Sequence, residues 1–272
     1  MFKKIVHTFL LALLLWTQGV CGNDEKCGGT LIKISDTSGS MYDDQFAAAT
    51  RIRADILDKQ AKIFGLQSIE VILVNDALSV YTPETTICSL TCATEDIAES
   101  NVQQVMQIQF GVEYLRAKEE ELKRLRAIRK KDIDKAKDVI GSVKQSKTLK
   151  TSVYGFLSLL NEIWDPECQY EVLTDLKNDY PYDSSLAAKL RSHNWDNTVI
   201  VLIPSQGDIK EGTNIEEILE GRKKQVEDMM PGVKILSPVA LRRYWDGFAS
   251  DEKEDNGNNS IKGQSIFGNS RI

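Results

Sequence analysis

The sequence predicts an α/β domain with a doubly wound, mostly parallel sheet flanked by helices and interrupted by a long helical insertion. Three observations predict it. Short β-branched apolar runs alternate with stretches of helical periodicity, the order of parallel strands joined by crossover helices. Two of those runs end at aspartates, Asp36 and Asp175, the carboxyl-end position at which ligands bind on such sheets. Between Thr94 and about Gln145 the chain has no proline and only Gly111 and Gly141 as breakers, which predicts extended helix.

Met1–Lys4 supplies two lysines, Ile5–Trp16 is apolar, and small residues follow at Gly19 and Gly22. That order predicts a secretory signal peptide over residues 1–22, too short for a membrane span. Two alternatives stay open: an uncleaved N-terminal anchor, and lipidation of Cys21, to which Gln18-Gly19-Val20 is a poor match. Cleavage leaves a mature chain with no transmembrane segment, secreted or periplasmic in a bacterial envelope. With 42% hydrophobic and 27% charged residues the chain reads as globular, and its net charge of −6 gives no general reason to expect nucleic acid.

The first strand is Thr30–Ser35, whose Leu31-Ile32-Lys33-Ile34 ends at Asp36. Phe46, Ala49, Ile52, Ile56 and Ile63 predict helix over Tyr42–Phe64, stopped by Gly65. Ile69–Val74 is a second strand, and Asn75-Asp76 turns into Leu78–Tyr81, an expected antiparallel edge partner. The segment 94–147 reads as a helical hairpin or an extended helix packed on itself; Leu115, Leu122, Leu125 and Ile128 resemble a coiled-coil stripe for barely two heptads. Val153–Trp164 is an amphipathic helix and Tyr170–Leu173 a strand ending at Thr174-Asp175. Thr198–Ile203, the most continuous apolar run, is expected to be central. Helix Ile215–Met230, strand Val233–Leu236 and helix Val239–Phe248 complete a domain spanning 27–248, and the polar residues 249–272 predict a disordered tail.

Asp36-Thr37-Ser38-Gly39-Ser40 places a carboxylate and two hydroxyls on one tight turn. Oxygen-only donors suit a hard cation such as Mg²⁺, though a Ser- and Gly-rich turn by itself often serves only to cap a helix. The stretch Leu31–Met41 closely resembles the first strand and metal loop of von Willebrand factor A (VWA) domains, a Rossmann-like family. Their metal-ion-dependent adhesion site reads D-x-S-x-S, then a Thr ahead of a later helix, then an Asp closing a later strand. Thr151 stands before the Val153–Trp164 helix and Asp175 after Tyr170–Thr174. The resemblance implies that Asp36, Ser38, Ser40 and Thr151 approach the cation directly or through water, and that Asp175 acts through water. The cation would be Mg²⁺, or Mn²⁺ or Ca²⁺, with a carboxylate of a protein partner completing its shell. Two departures bear on this: Thr148-Leu149-Lys150-Thr151 lacks the usual glycines, so Thr148 also remains a candidate, and Leu176 stands where the family commonly has Gly.

An aspartyl phosphatase of the haloacid-dehalogenase type wants a second Asp two residues after the first, and Ser38 holds that place. Ser38 is not in a G-x-S-x-G turn, and the two histidines are His7, in the signal, and His193, in a polar stretch expected to be an exposed loop. No enzymatic activity is expected.

Once Cys21 leaves with the signal, Cys27, Cys88, Cys92 and Cys168 remain, an even number suited to an oxidising compartment, with no CxxC pair to suggest structural zinc. In the VWA order the strands after Cys27 and Cys168 are parallel neighbours, which implies a Cys27–Cys168 disulfide and a local Cys88–Cys92 pair. The segment Lys123–Lys137 sets eight basic residues against Asp132 and Asp134. Lys123, Arg124, Arg126, Arg129, Lys130 and Lys131 form a candidate basic interaction face, whose plainer reading is a solvated helix surface. Together these observations predict an exported, metal-dependent, adhesion-type binding module that captures an acidic group of a protein partner. The alternative is a structural scaffold of an envelope assembly acting through its basic helical insertion, with assembly proteins as partners.

Overall fold

The computed structural model describes residues 27–74, 84–106, 111–146, 153–177, 184–210 and 214–254. Six strands form one sheet: β1 (Gly29–Asp36), β2 (Leu66–Val74), β3 (Glu84–Ser89), β4 (Cys168–Thr174), β5 (Thr198–Leu202) and β6 (Lys234–Leu236), in the order β3-β2-β1-β4-β5-β6. All neighbours are parallel except β2 and β3. The described helices are α1 (Asp43–Asp55), α2 (Leu57–Ile63), α3 (Glu95–Met106), α4 (Val112–Gly141), α5 (Val153–Glu162), α6 (Ser184–Leu190), α7 (Gln206–Lys210), α8 (Ile215–Met229) and α9 (Pro238–Glu254).

Strand alternation sorts the helices onto two faces. Ile32 and Ile34 of β1, with Tyr170 and Val172 of β4, pack against α5, α6 and α8, through Leu157, Leu160, Leu190 and Val226 among others. The opposite face carries Leu31, Ile69 and Val71, covered by α2 and α4 through Leu57, Ala61, Ile133, Ala136 and Ile140. Further along it, Leu173, Val199 and Val201 meet Phe46 and Ala49 of α1 and Leu241 and Trp245 of α9. The chain thus winds to one side of β1 and then to the other, and the reversal of strand order falls between β1 and β4. Gly65, at φ 57°, gives the left-handed residue that ends α2 and starts β2.

The fold class is the expected one, with local differences. The antiparallel edge partner of β2 is Glu84–Ser89; Leu78–Tyr81 lies outside the described residues. β5 is interior, but β1 and β4 hold the middle of the sheet. The short helices α6 and α7 are not among the expected elements. Helix α9 runs to Glu254, past Phe248 and into the start of the expected tail. The long helical segment is a hairpin, α3 against α4, with Leu122 and Leu125 packed on Ala93 and Ala98. The expected stripe divides: Leu115 is 64% exposed, so it takes no part in a helical seam. The C-terminal half of α4 is a covering layer of the sheet.

The cysteine pairing must be corrected. The disulfide joins Cys27 to Cys92, with Cα atoms 5.9 Å apart, while Cys88 and Cys168 are free. β1 and β4 are parallel neighbours as expected, but their register sets Thr30, not Cys27, beside Cys168. Ahead of β1 the chain bends toward β2, where the amides of Gly28 and Gly29 both donate to the Gly65 carbonyl. β3 runs antiparallel, so it exits at the end where β1 begins: Ser89 pairs Ser68, and Leu90 N–H donates to Gln67. Two residues later Cys92 stands beside Cys27. Cys88, still on β3, packs instead against the core under α4.

Candidate metal centre

Asp36 closes β1 and Asp175 follows β4, so two neighbouring parallel strands bring both carboxylates to one end of the sheet. The loop after β1 folds on itself through short side chains. Ser38 N–H donates to Asp36 Oδ1 at 2.9 Å, and the Ser38 and Ser40 hydroxyls are 2.8 Å apart. Thr174 Oγ1 donates across the strands to Asp36 Oδ2 at 3.2 Å, and the Ser40 hydroxyl hydrogen-bonds the Asp175 carboxylate. Asp36, Ser38, Ser40 and Asp175 therefore form one connected cluster. Thr148 and Thr151 lie outside the described residues. The last described residue before them, Ser146, donates its N–H to the Thr37 carbonyl at 2.6 Å, and Gln145 Nε2 reaches the Met41 carbonyl at 3.0 Å.

Asp36 is 3% exposed and Asp175 fully buried. Burial, then the charge of Asp175, pushes the Asp36 carboxyl up to about 7 against the hydrogen bonds from Ser38 and Thr174. Burial likewise raises Asp175, opposed by Lys177 N–H, the Ser40 hydroxyl and Arg222. Asp175 Oδ1 accepts from Lys177 N–H at 2.9 Å, while its buried Oδ2 has no hydrogen-bond partner. Two buried carboxylates, one with an oxygen that lacks a hydrogen-bond partner, together with the Ser38 and Ser40 hydroxyls make an oxygen-only donor set that fits a hard divalent cation. The fit depends on hydroxyls: among the described residues no three His, Cys, Asp or Glu side chains converge as a ligand group.

The cluster is held by residues outside the expected set. Arg222 of α8 forks onto Asp208, at 2.8 and 2.7 Å, and donates to the Asp175 carbonyl at 3.0 Å. Helix α7, which carries Asp208, is tied to the loop after β1 through Gln206 N–H to the Ser40 carbonyl at 2.7 Å and through a bridge between Met41 and Ser205 just ahead of it. Arg222 gives no sequence signal, standing among other charged residues of an amphipathic helix. Beneath the loop lies a buried ion cluster: Glu171 Oε1 accepts from Lys33 Nζ at 2.5 Å and Arg53 Nε at 2.8 Å, and Oε2 from Gln60 Nε2 at 2.7 Å. Arg53 Nη1 also reaches Ser35 Oγ, one residue before Asp36, at 2.6 Å. Burial draws Lys33 down to about 8 despite Glu171; burial would raise Glu171, but Lys33 and Arg53 outweigh it and hold it below its ordinary range. This cluster did leave a signal, opposite charges at the same place in two apolar strands.

Leu176 occupies the left-handed region at φ 51°, the conformation for which glycine is the natural choice. Its side chain is buried with the core of the α5 face and its N–H donates to Thr174 Oγ1 at 3.1 Å, so packing holds the backbone in that turn.

Of the candidate basic residues, Lys123, Arg124, Arg126, Lys130 and Lys131 are exposed on α4, with Arg124 paired to Glu121. Arg129 is not part of that face. It is 6% exposed, and its guanidinium donates to the carbonyls of Thr91 at 3.0 Å and Ala61 at 3.2 Å, tying α4 to the loop after β3 and to α2. His193 is a second correction. It is half-buried, stacked on Trp164 at 4.3 Å and bonded to Asn161 at 3.2 Å, where its ring adds packing to a loop.

No family model matches the chain, and no curated protein matches it. Among solved structures it is similar to two of proximal thread matrix protein 1 from the mussel byssus, one in crystal form 2 and one with a zinc-occupied MIDAS motif. Each is 13% identical with a TM-score of 0.41, over 86% of this chain and 48% of that one. The chain spans about half the length of the proteins it matches.

Proposed function

We propose that this chain is an exported, non-catalytic binding module that holds a divalent cation at the end of β1 and β4 and uses it to capture a carboxylate of a protein partner. The observation that carries the reading is the convergence of Asp36, Ser38, Ser40 and Asp175, with the buried Asp175 Oδ2 left without a partner. Asp36, the two serines and Thr151, or Thr148 in its place, would hold Mg²⁺, Mn²⁺ or Ca²⁺, and Asp175 would act through water. A bound cation supplies Lewis acidity toward an incoming anionic oxygen. The chain's own residues do the rest: the strands fix the two carboxylates, the Ser38–Ser40 turn presents the hydroxyls, and Arg222 anchors the backbone of Asp175. Export is supported by the leader-like residues 1–22 and by the Cys27–Cys92 disulfide, which belongs to an oxidising compartment. Among the described residues no helix is long and apolar enough to cross a membrane.

Calorimetric titration with Mg²⁺, Mn²⁺ and Zn²⁺ tests the reading. Wild type should bind one divalent ion and Asp36→Ala none, with both chains equally folded; equal affinity in the two removes the site.

A further inference from the structure

The basic segment of α4 gains a partner that the sequence does not reveal. Lys62 of α2 stands with Arg126, Arg129 and Lys130 around a concavity of about 330 Å³ between the two helices, floored by Ala61 and Ile133. The one acidic residue on its rim, Asp58, is engaged by Lys137. Among the described residues Arg126 and Lys130 have no carboxylate partner, although the chain as a whole carries a net charge of −6. Arg129 is fixed by two carbonyls, so one wall of the cleft is rigid before any ligand arrives. Cations gathered around one concavity add their fields beyond what the same charges give when spread along an open helix.

We infer that this cleft between α2 and α4 is an anion site for a phosphate or sulfate monoester, with Arg126 and Lys130 closing on the oxyanion. Guanidinium and ammonium groups are the donors such oxyanions select. The volume exceeds that of a bare oxyanion, and the floor of Ala61 and Ile133 gives apolar contact for the carbon skeleton that carries it. The site is independent of the proposed cation and works with the opposite charge.

The experiment uses the full chain in buffer free of divalent cations, titrated with glucose 6-phosphate and glucose 6-sulfate and followed by amide NMR. Saturable shifts are expected at residues 58–62 and 126–133. Arg126→Gln combined with Lys130→Gln should weaken binding by about tenfold or more. Lys123→Gln combined with Lys135→Gln removes the same charge from α4 outside the cleft and should weaken it by less than about twofold. All four residues are exposed, so neither pair threatens the fold. The relative affinity of the two esters identifies the oxyanion. Equal losses in the two double variants, or no saturation with either ester, would overturn the site.

Discussion

At the residue scale, the least expected feature is charge inside the sheet. Lys33, Arg53 and Glu171 are each at most 1% exposed, and their stability depends on mutual completion rather than on any one pair. A buried ion group with one member removed leaves its partners desolvated and uncompensated. Glu171→Gln should therefore lower unfolding free energy by about 3–5 kcal/mol in urea titrations. A loss below about 1 kcal/mol would mean that water reaches the cluster. The same residues hold the Asp36–Ser40 loop from below, since Arg53 bonds Ser35 next to Asp36. Asp36 and Asp175 are the opposite case, like charges buried together, a stability cost of the kind found where a site is built for a ligand.

At the element scale, α8 and α4 each do more than their sequences suggest. The fork of Arg222 on Asp208 joins α8 to the carbonyl of Asp175. Arg222→Ala should reduce divalent-cation affinity by about tenfold, as loss of an outer-shell partner does. Arg222→Lys should recover only part of it, because an ammonium cannot span both carboxylate oxygens; unchanged affinity in both variants would detach α8 from the site. Helix α4 reads in the sequence as an insertion because its exposed charge hides a narrow apolar stripe. Ile133, Ala136 and Ile140 are nonetheless core residues over β1 and β2. Ile140→Ala should cost about 2–4 kcal/mol in chemical unfolding. A change within about 0.5 kcal/mol would restore the picture of a detached arm. The edge strand β3 was expected at Leu78–Tyr81 and lies at Glu84–Ser89. The parallel strands β1, β4, β5 and β6, by contrast, were legible to within a few residues, since continuous β-branched runs have few other uses. The short helices α6 and α7 were not, because two turns of helix carry too little periodicity to rise above their loops.

At the scale of the whole molecule, what the sequence conveyed best was topology, and what it conveyed least was the register of distant segments. Asp36 and Asp175 could be placed together because both end strands of a parallel sheet. The cysteines could not be paired, because their meeting depends on β3 running antiparallel and delivering Cys92 to the start of β1. The Cys27–Cys92 bond spans 65 residues of sequence. Closure of a loop of that size should stabilise the fold by about 4 kcal/mol in the chain-entropy model. Reduction should therefore lower the unfolding midpoint, and non-reducing peptide mapping should recover a Cys27–Cys92 crosslink; a Cys27–Cys168 peptide would contradict the register of β1 and its neighbours. The molecule presents two separate charge features, a carboxylate-and-hydroxyl cluster at the sheet's carboxyl end and a cationic cleft between α2 and α4.

The central claim, a divalent cation between the ends of β1 and β4, is tested most directly by anomalous diffraction from crystals soaked in Mn²⁺. One manganese peak should lie within about 2.0–2.3 Å of oxygens from the Asp36, Ser38 and Ser40 side chains, with Asp175 in its outer shell. A chain that diffracts well but shows no peak there, or shows manganese only on surface carboxylates, would contradict the account.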